Sequence, residues 1–156
     1  MLGRQLGLRD VTFLKAMLLY MTAQGIAGSL LSALALGYAL GQPLALLGGG
    51  LSDLGDRALN TGVASLLPSF VVVGVVVILA RRLQKATRTQ WVLGAALWSG
   101  GVWTGLGIAL MGGFTSDPSL ERLVSTYVLA GLCSGAIVGL YASLVASRPL
   151  GAPSQQ

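Results

Sequence analysis

Four stretches of this chain are long, apolar and free of Asp, Glu, Lys and Arg: residues 16–40, 61–80, 91–113 and 123–147. Each reaches the ~20 residues needed to cross the hydrocarbon core of a bilayer as a helix. A backbone in lipid must satisfy its hydrogen bonds within itself, which for runs of this length leaves the α-helix. Composition points the same way: only 10% of the 156 residues are charged and the mean hydropathy is +0.77, where a water-soluble domain carries about 25% charge. The expectation is an all-α membrane protein, a four-transmembrane-helix bundle forming one domain over residues 1–150, with a disordered tail at 151–156. Pro68 falls inside the second run and is expected to kink it, because proline lacks the amide donor and crowds the preceding turn.

Charge sets the expected direction. Arg4, Arg9 and Lys15 precede the first run with Asp10 as the lone acid among them. The segment "RRLQKATRTQ" between the second and third runs carries Arg81, Arg82, Lys85 and Arg88 and no acid, and Arg148 follows the fourth run. The other two connections hold Asp53 and Asp56 with Arg57, and Asp117 and Glu121 with Arg122. The positive-inside rule therefore puts both termini and the middle loop in the cytoplasm, with Trp91 as an interfacial anchor. The membrane expected is the bacterial cytoplasmic (inner) membrane or an equivalent energy-transducing one. A basic leader before an apolar run also raises a signal peptide, but signal h-regions span only ~7–15 residues and the 16–40 run is longer. The first helix is expected to be retained. The formal charge of +5 sits at segment ends rather than along a stripe, so nucleic acid is not an expected partner. The 41–60 connection is expected to hold a short helix on the outer surface. Asp53 and Asp56 there read as a solvated face, since a calcium site needs six or more oxygens.

Most of the 23 glycines lie inside the apolar runs, and in three of the runs small residues recur at a regular spacing. The fourth run places Gly131, Gly135, Gly139 and Ser143 four residues apart; the third places Gly101, Gly105, Ala109 and Gly113; the first places Gly25, Ser29, Ala33, Gly37 and Gly41. Small residues let helices approach closely in lipid, where the hydrophobic effect gives no drive to associate. The expectation is small-xxx-small (glycine-zipper) packing of runs one, three and four as a trio, with a second subunit as the alternative partner. The Val-rich second run, which has no such line, is expected outside the trio. Gly135→Leu is then expected to be far more harmful than Val138→Leu.

What the chain lacks narrows its chemistry. Histidine is absent and Cys133 is the single cysteine, so Ser–His and Cys–His pairs are impossible. No metal site and no cofactor is expected, and the chain is read as a non-enzyme. Ion-coupled carriers keep an ionisable residue within the membrane, and none of the four runs has one. Rotor proteolipids and small multidrug exporters, which need a carboxylate there, are excluded on that ground. Gln24 is the carboxamide deepest in a run and is expected to make an interhelical hydrogen bond. Cys133 reads as a small packing residue. Trp98 and Trp103 lie about 140° apart around their helix, the first near the small-residue line and the second away from it. Arg81, Arg82, Lys85 and Arg88 are candidate contacts for anionic lipid or an acidic partner.

The function expected from these features is an accessory or assembly subunit of a larger membrane complex, acting through helix packing. Its partners would be membrane lipids and other integral membrane subunits or copies of itself. The alternative is a small oligomeric transporter or channel for a neutral or weakly polar solute, with Thr22, Gln24, Ser29 and Ser32 lining the path.

Overall fold

In the computed structural model, residues 2–39, 41, 51–82, 86–110 and 118–146 are described, with side chains over 13–35, 38, 41, 54–80, 86–109 and 124–145. The expected tail at 151–156 lies outside these residues. Among the described residues the chain is entirely helical, with five helices: α1 (Leu2–Ala39), α2 (Leu51–Ala64), α3 (Leu66–Arg82), α4 (Arg88–Leu110) and α5 (Pro118–Ala146). Three contain segments long and apolar enough to cross a membrane: Phe13–Ala35, Arg88–Ala109 and Val124–Val145. At 1.5 Å per residue α2 and α3 are only about 21 and 26 Å long, each short of a ~30 Å hydrocarbon core. Taken together as one broken segment, Leu54–Ala64 and Leu66–Ala80, they make a fourth candidate, bent by 60°.

Pro68 causes that break, but upstream of itself. Its missing N–H would have donated to Ala64, and its ring crowds that same carbonyl. The ladder stops at Ser65, whose N–H is shared between Thr61 O at 3.1 Å and Gly62 O at 3.2 Å. Its hydroxyl donates to Gly62 O at 2.6 Å, closing the end of α2. The next ladder opens with Ser69 N–H on Ser65 O at 2.8 Å, and Pro68 sits in the first turn of α3, where an absent donor costs nothing. The end of α1 is marked differently. Gly41 has φ +71° and donates its N–H to Tyr38 O, a left-handed stop that glycine adopts without strain. Gly41 therefore ends the helix instead of extending its small-residue line.

Pairings run antiparallel. Along α1, Met21 meets Gly62, Gly25 meets Ala58, and Ser29 meets Leu54. Along α5, Gly139 lies against Trp91 of α4, Gly135 against Ala95, and Gly107 of α4 against Val124. α5 also packs on α1 and α3, and α3 on α1 and α4.

Several expectations are corrected here. The Val-rich segment is not outside: Val72, Val73 and Val76 of α3 are buried in a cluster with Ala16 and Tyr20 of α1, Trp91 and Ala95 of α4, and Val138 and Ala142 of α5. These branched valines fill the space between the three other helices. Nor do α1, α4 and α5 form a close trio, for no direct packing of backbones joins α1 to α4 among the described residues. Val138, where leucine is expected to do far less harm than at Gly135, is itself fully buried. Cys133, expected as a packing residue, is exposed.

Candidate functional site

Two features of the interior involve the residues singled out by sequence: a set of close helix approaches and a polar seam. The approaches come first, because they fix the helices that carry the seam. A Cβ added at Gly25 would overlap the Ala58 carbonyl oxygen, and one at Gly62 would lie 3.1 Å from Met21 O. Here two backbones touch, small residue against small residue. Ser29 is buried in the same seam and its hydroxyl donates to Leu54 O at 3.3 Å; Ala33 is fully buried one turn on. Gly28, off the expected line, faces Thr61 and α5.

The line on α5 is used differently. A Cβ at Gly131 would overlap the Trp103 ring, and one at Gly139 the Trp91 carbonyl oxygen. One at Gly135 would overlap Ala95 O and lie 2.6 Å from Ser99 Cβ. Ser143 is buried at the end of the line, with its hydroxyl on Leu140 O of its own helix. The surface laid against these glycines is therefore Trp91, Ala95, Ser99 and Trp103, four residues apart along α4. The line expected to serve, Gly101, Gly105 and Ala109, faces outward. Nothing lies within 4 Å of a Cβ at Gly101 or Gly105, and Ala109 is exposed. Gly37 and Gly113 fall outside the residues whose surroundings are described.

The polar seam crosses the bundle where α1, α4 and α5 face one another. Tyr20 and Gln24 stand one turn apart on α1, both fully buried. The Tyr20 hydroxyl shares a 2.6 Å hydrogen bond with Ser99 Oγ and accepts from Trp103 Nε1–H at 2.9 Å. Through these side chains α1 reaches α4 although their backbones stay apart. Gln24 Oε1 accepts from Ser134 Oγ at 2.8 Å, and its Nε2 donates to Tyr127 O at 3.4 Å. The Trp103 and Tyr127 rings stack at 5.4 Å and 18°, linking the two halves of the seam. Ser134 Oγ also points to Ala130 O at 2.7 Å, so one hydroxyl proton serves two acceptors.

This seam was only partly foreseen. Gln24 is named by sequence, while Tyr20, Ser99 and Ser134 are not. The available signal was the four-residue spacing of Tyr20 with Gln24 and of Ser99 with Trp103, which puts each pair on one helix face. Ser134 also sits on the helix that carries the glycine line. Chemically the seam is closed: every buried side-chain nitrogen and oxygen among the described residues has a hydrogen-bond partner. Polar pairs of this kind join helices in lipid, averaging ~0.6 kcal/mol each and reaching ~1.7.

The residues proposed to line a solute path are not brought together. Gln24 and Ser29 are buried and bonded to other helices, Ser32 is half-buried, and Thr22 is exposed. Asp56 is exposed on α2 and the Asp53 side chain is outside the described set; among the described residues no three His, Cys, Asp or Glu gather as metal ligands. Arg88 is exposed at the start of α4, while the Arg81, Arg82 and Lys85 side chains lie outside the described residues. Trp98 is exposed, and Trp103 turns away from the outward glycine line into the seam. Comparison of the chain with protein-family models, with curated proteins and with solved structures found no match.

Proposed function

We propose that this protein is a non-catalytic integral membrane subunit that helps assemble or stabilise a larger membrane complex. The observation that carries the reading is the outward line Gly101, Gly105 and Ala109 on α4. It offers a partner helix the close approach that lipid tails cannot exploit, and no other described residue covers it. The closed polar seam supports the same reading, since among the described residues it leaves no buried side-chain nitrogen or oxygen unpaired to receive a solute. In this reading the bent α2–α3 pair is one span, giving four. The charge asymmetry then sets both termini and the 81–88 segment in the cytoplasm of a bacterial inner membrane or its equivalent. The approaches of α1 to α2 and of α4 to α5 act as glycine-zipper contacts that stiffen the subunit. This leaves one face of α4 for docking.

The decisive experiment is mild-detergent extraction followed by native electrophoresis. The chain should co-migrate with a defined set of larger integral membrane subunits, and a Gly101→Leu/Gly105→Leu variant should run free of them. Deleting the chain should weaken the complex. Purified protein alone in liposomes should move no solute above empty vesicles. Saturable flux that disappears in Gln24→Leu would replace this reading with the neutral-solute transporter. A reporter fused after Gln156 should be active in the cytoplasm, and a cysteine placed beside Asp53 should label from outside.

A further inference from the structure

The groove between α3 and α4 does not belong to either interior feature. Its volume is about 450 Å³, within the ~300–1,000 Å³ common for small-molecule sites. Its walls are apolar: Val75 and Leu79 from α3, Gly94 and Trp98 from α4, with Trp91 behind. Gly94 keeps the floor open, for a Cβ there would meet nothing within 4 Å. Trp98 lies along the open side with 42% of its surface exposed.

One end of the groove is polar. Gln90 lines it and takes part in a capping box: Gln90 Oε1 accepts from Thr87 N–H at 2.9 Å, and Gln90 N–H donates to Thr87 Oγ1 at 3.3 Å. That arrangement fixes the amide with its oxygen engaged, and leaves its –NH₂ as a donor. Arg88 is exposed two residues earlier. The sequence joining α3 to α4, residues 81–88, holds four cations and no acid. From Gln90 to Trp98 α4 rises about 12 Å, most of the depth of one leaflet's ~15 Å share of the hydrocarbon.

We propose that this groove binds an anionic phospholipid drawn from the surrounding bilayer. One acyl chain lies over Gly94 along Trp98, and the phosphate sits at Gln90 and Arg88. The charge asymmetry decides the class of occupant. A zwitterionic lipid or an apolar helix would fill the walls equally well, but neither makes use of a cationic end without a single acid. Gly94 and Trp98 share one helix face with Gly101 and Gly105, so the lipid occupies the end of that face nearest residues 81–88 and the partner helix of the assembly role lies farther along it.

Trp98 supplies the readout. The protein is reconstituted in phosphatidylcholine vesicles containing small, increasing fractions of dibrominated phosphatidylglycerol or dibrominated phosphatidylcholine, and tryptophan quenching is followed. Quenching by the brominated anionic lipid should saturate at a fraction about tenfold lower than by the zwitterionic one. Gly94→Leu, which fills the groove into open space, should abolish the anionic preference. Arg88→Gln should reduce it about fivefold. Leu93→Ala, exposed on the same turn but outside the groove, should leave it unchanged. Equal quenching by the two lipids would overturn the proposal. So would an anionic preference that survives Gly94→Leu, which would place the lipid loosely on the basic surface. Protection of Trp98 from both lipids in the intact complex would make the groove a helix interface and overturn it as well.

Discussion

α4 carries two lines of residues at four-residue spacing, and they have opposite surroundings. Trp91, Ala95, Ser99 and Trp103 face α5 and lie against its glycines; Gly101, Gly105 and Ala109 face outward. Judged by residue size alone, the outward line is the better candidate for close packing. The difference shows that a small residue permits an approach without directing it. Direction comes from what fills the space: Trp103 fills the notch at Gly131 and also donates to Tyr20, so one side chain both packs and bonds. The α1–α2 pair makes the contrast sharper, because there Gly25 meets Ala58 and Gly62 directly. Thus one chain uses glycine both for backbone-to-backbone contact and as a socket for tryptophan.

The largest effect is expected where a glycine meets backbone that cannot give way. Gly135→Leu would drive a side chain into Ala95 O, with Ala96 Cα only 2.9 Å from the first carbon. Overpacking costs ~1–3 kcal/mol, and this site should reach the upper end. Ile137→Leu, two residues on and exposed, should cost almost nothing. Unfolding midpoints in detergent compare the two, and equal midpoints would mean that α4 and α5 do not pack as described.

Tyr20→Phe comes next, at about 1–2 kcal/mol. Ser99 can turn its hydroxyl to a carbonyl one turn back in its own helix, but the Trp103 indole N–H loses its acceptor. The indole should then show a shifted emission spectrum alongside the lower midpoint. Tyr20→Phe at wild-type stability would remove the seam as a link between α1 and α4.

Gln24→Leu should cost less, about 1 kcal/mol, in line with interhelical hydrogen bonds in lipid. Leucine keeps most of the volume, Ser134 retains Ala130 O, and the lost bond to Tyr127 O is long at 3.4 Å. Adding Ser134→Ala to Gln24→Leu should cost little more, since the pair shares one interaction; a fully additive double variant would show that the two residues act separately.

These sites were legible in the sequence to different degrees. The long charge-free runs located α1, α4 and α5, and Pro68 located the bend to within a few residues. The precise break fell at Ser65 because proline's conflict is with the carbonyl four residues before it. The burial of α3 was not legible. A helix apolar on all sides has no periodicity to say which face is inside, and the lack of a four-residue line of glycines invited the opposite conclusion. The partners of Gln24 were hidden for another reason: Ser134 lies 110 positions away, and no local pattern joins them. The orientation of α4 was likewise settled by its tryptophans, whose fit to the α5 glycines is a property of the pair of helices.

The smallest effect expected is also the most discriminating for the two faces of α4. Gly101→Leu places a side chain where a Cβ meets nothing within 4 Å. A surface change away from any packed feature stays within about ±0.5 kcal/mol, and replacing glycine in a helix removes a backbone entropy penalty besides. The purified protein should therefore unfold at the wild-type midpoint or slightly above it, under the conditions in which Gly135→Leu is crippled. The same leucine should detach the protein from its complex, because a partner helix seated on Gly101 has no room for it. Stability and assembly would then separate at one residue. A fall of 1 kcal/mol or more in the isolated monomer would mean that Gly101 packs within the chain, and α4 would have one working arrangement of its small residues instead of two.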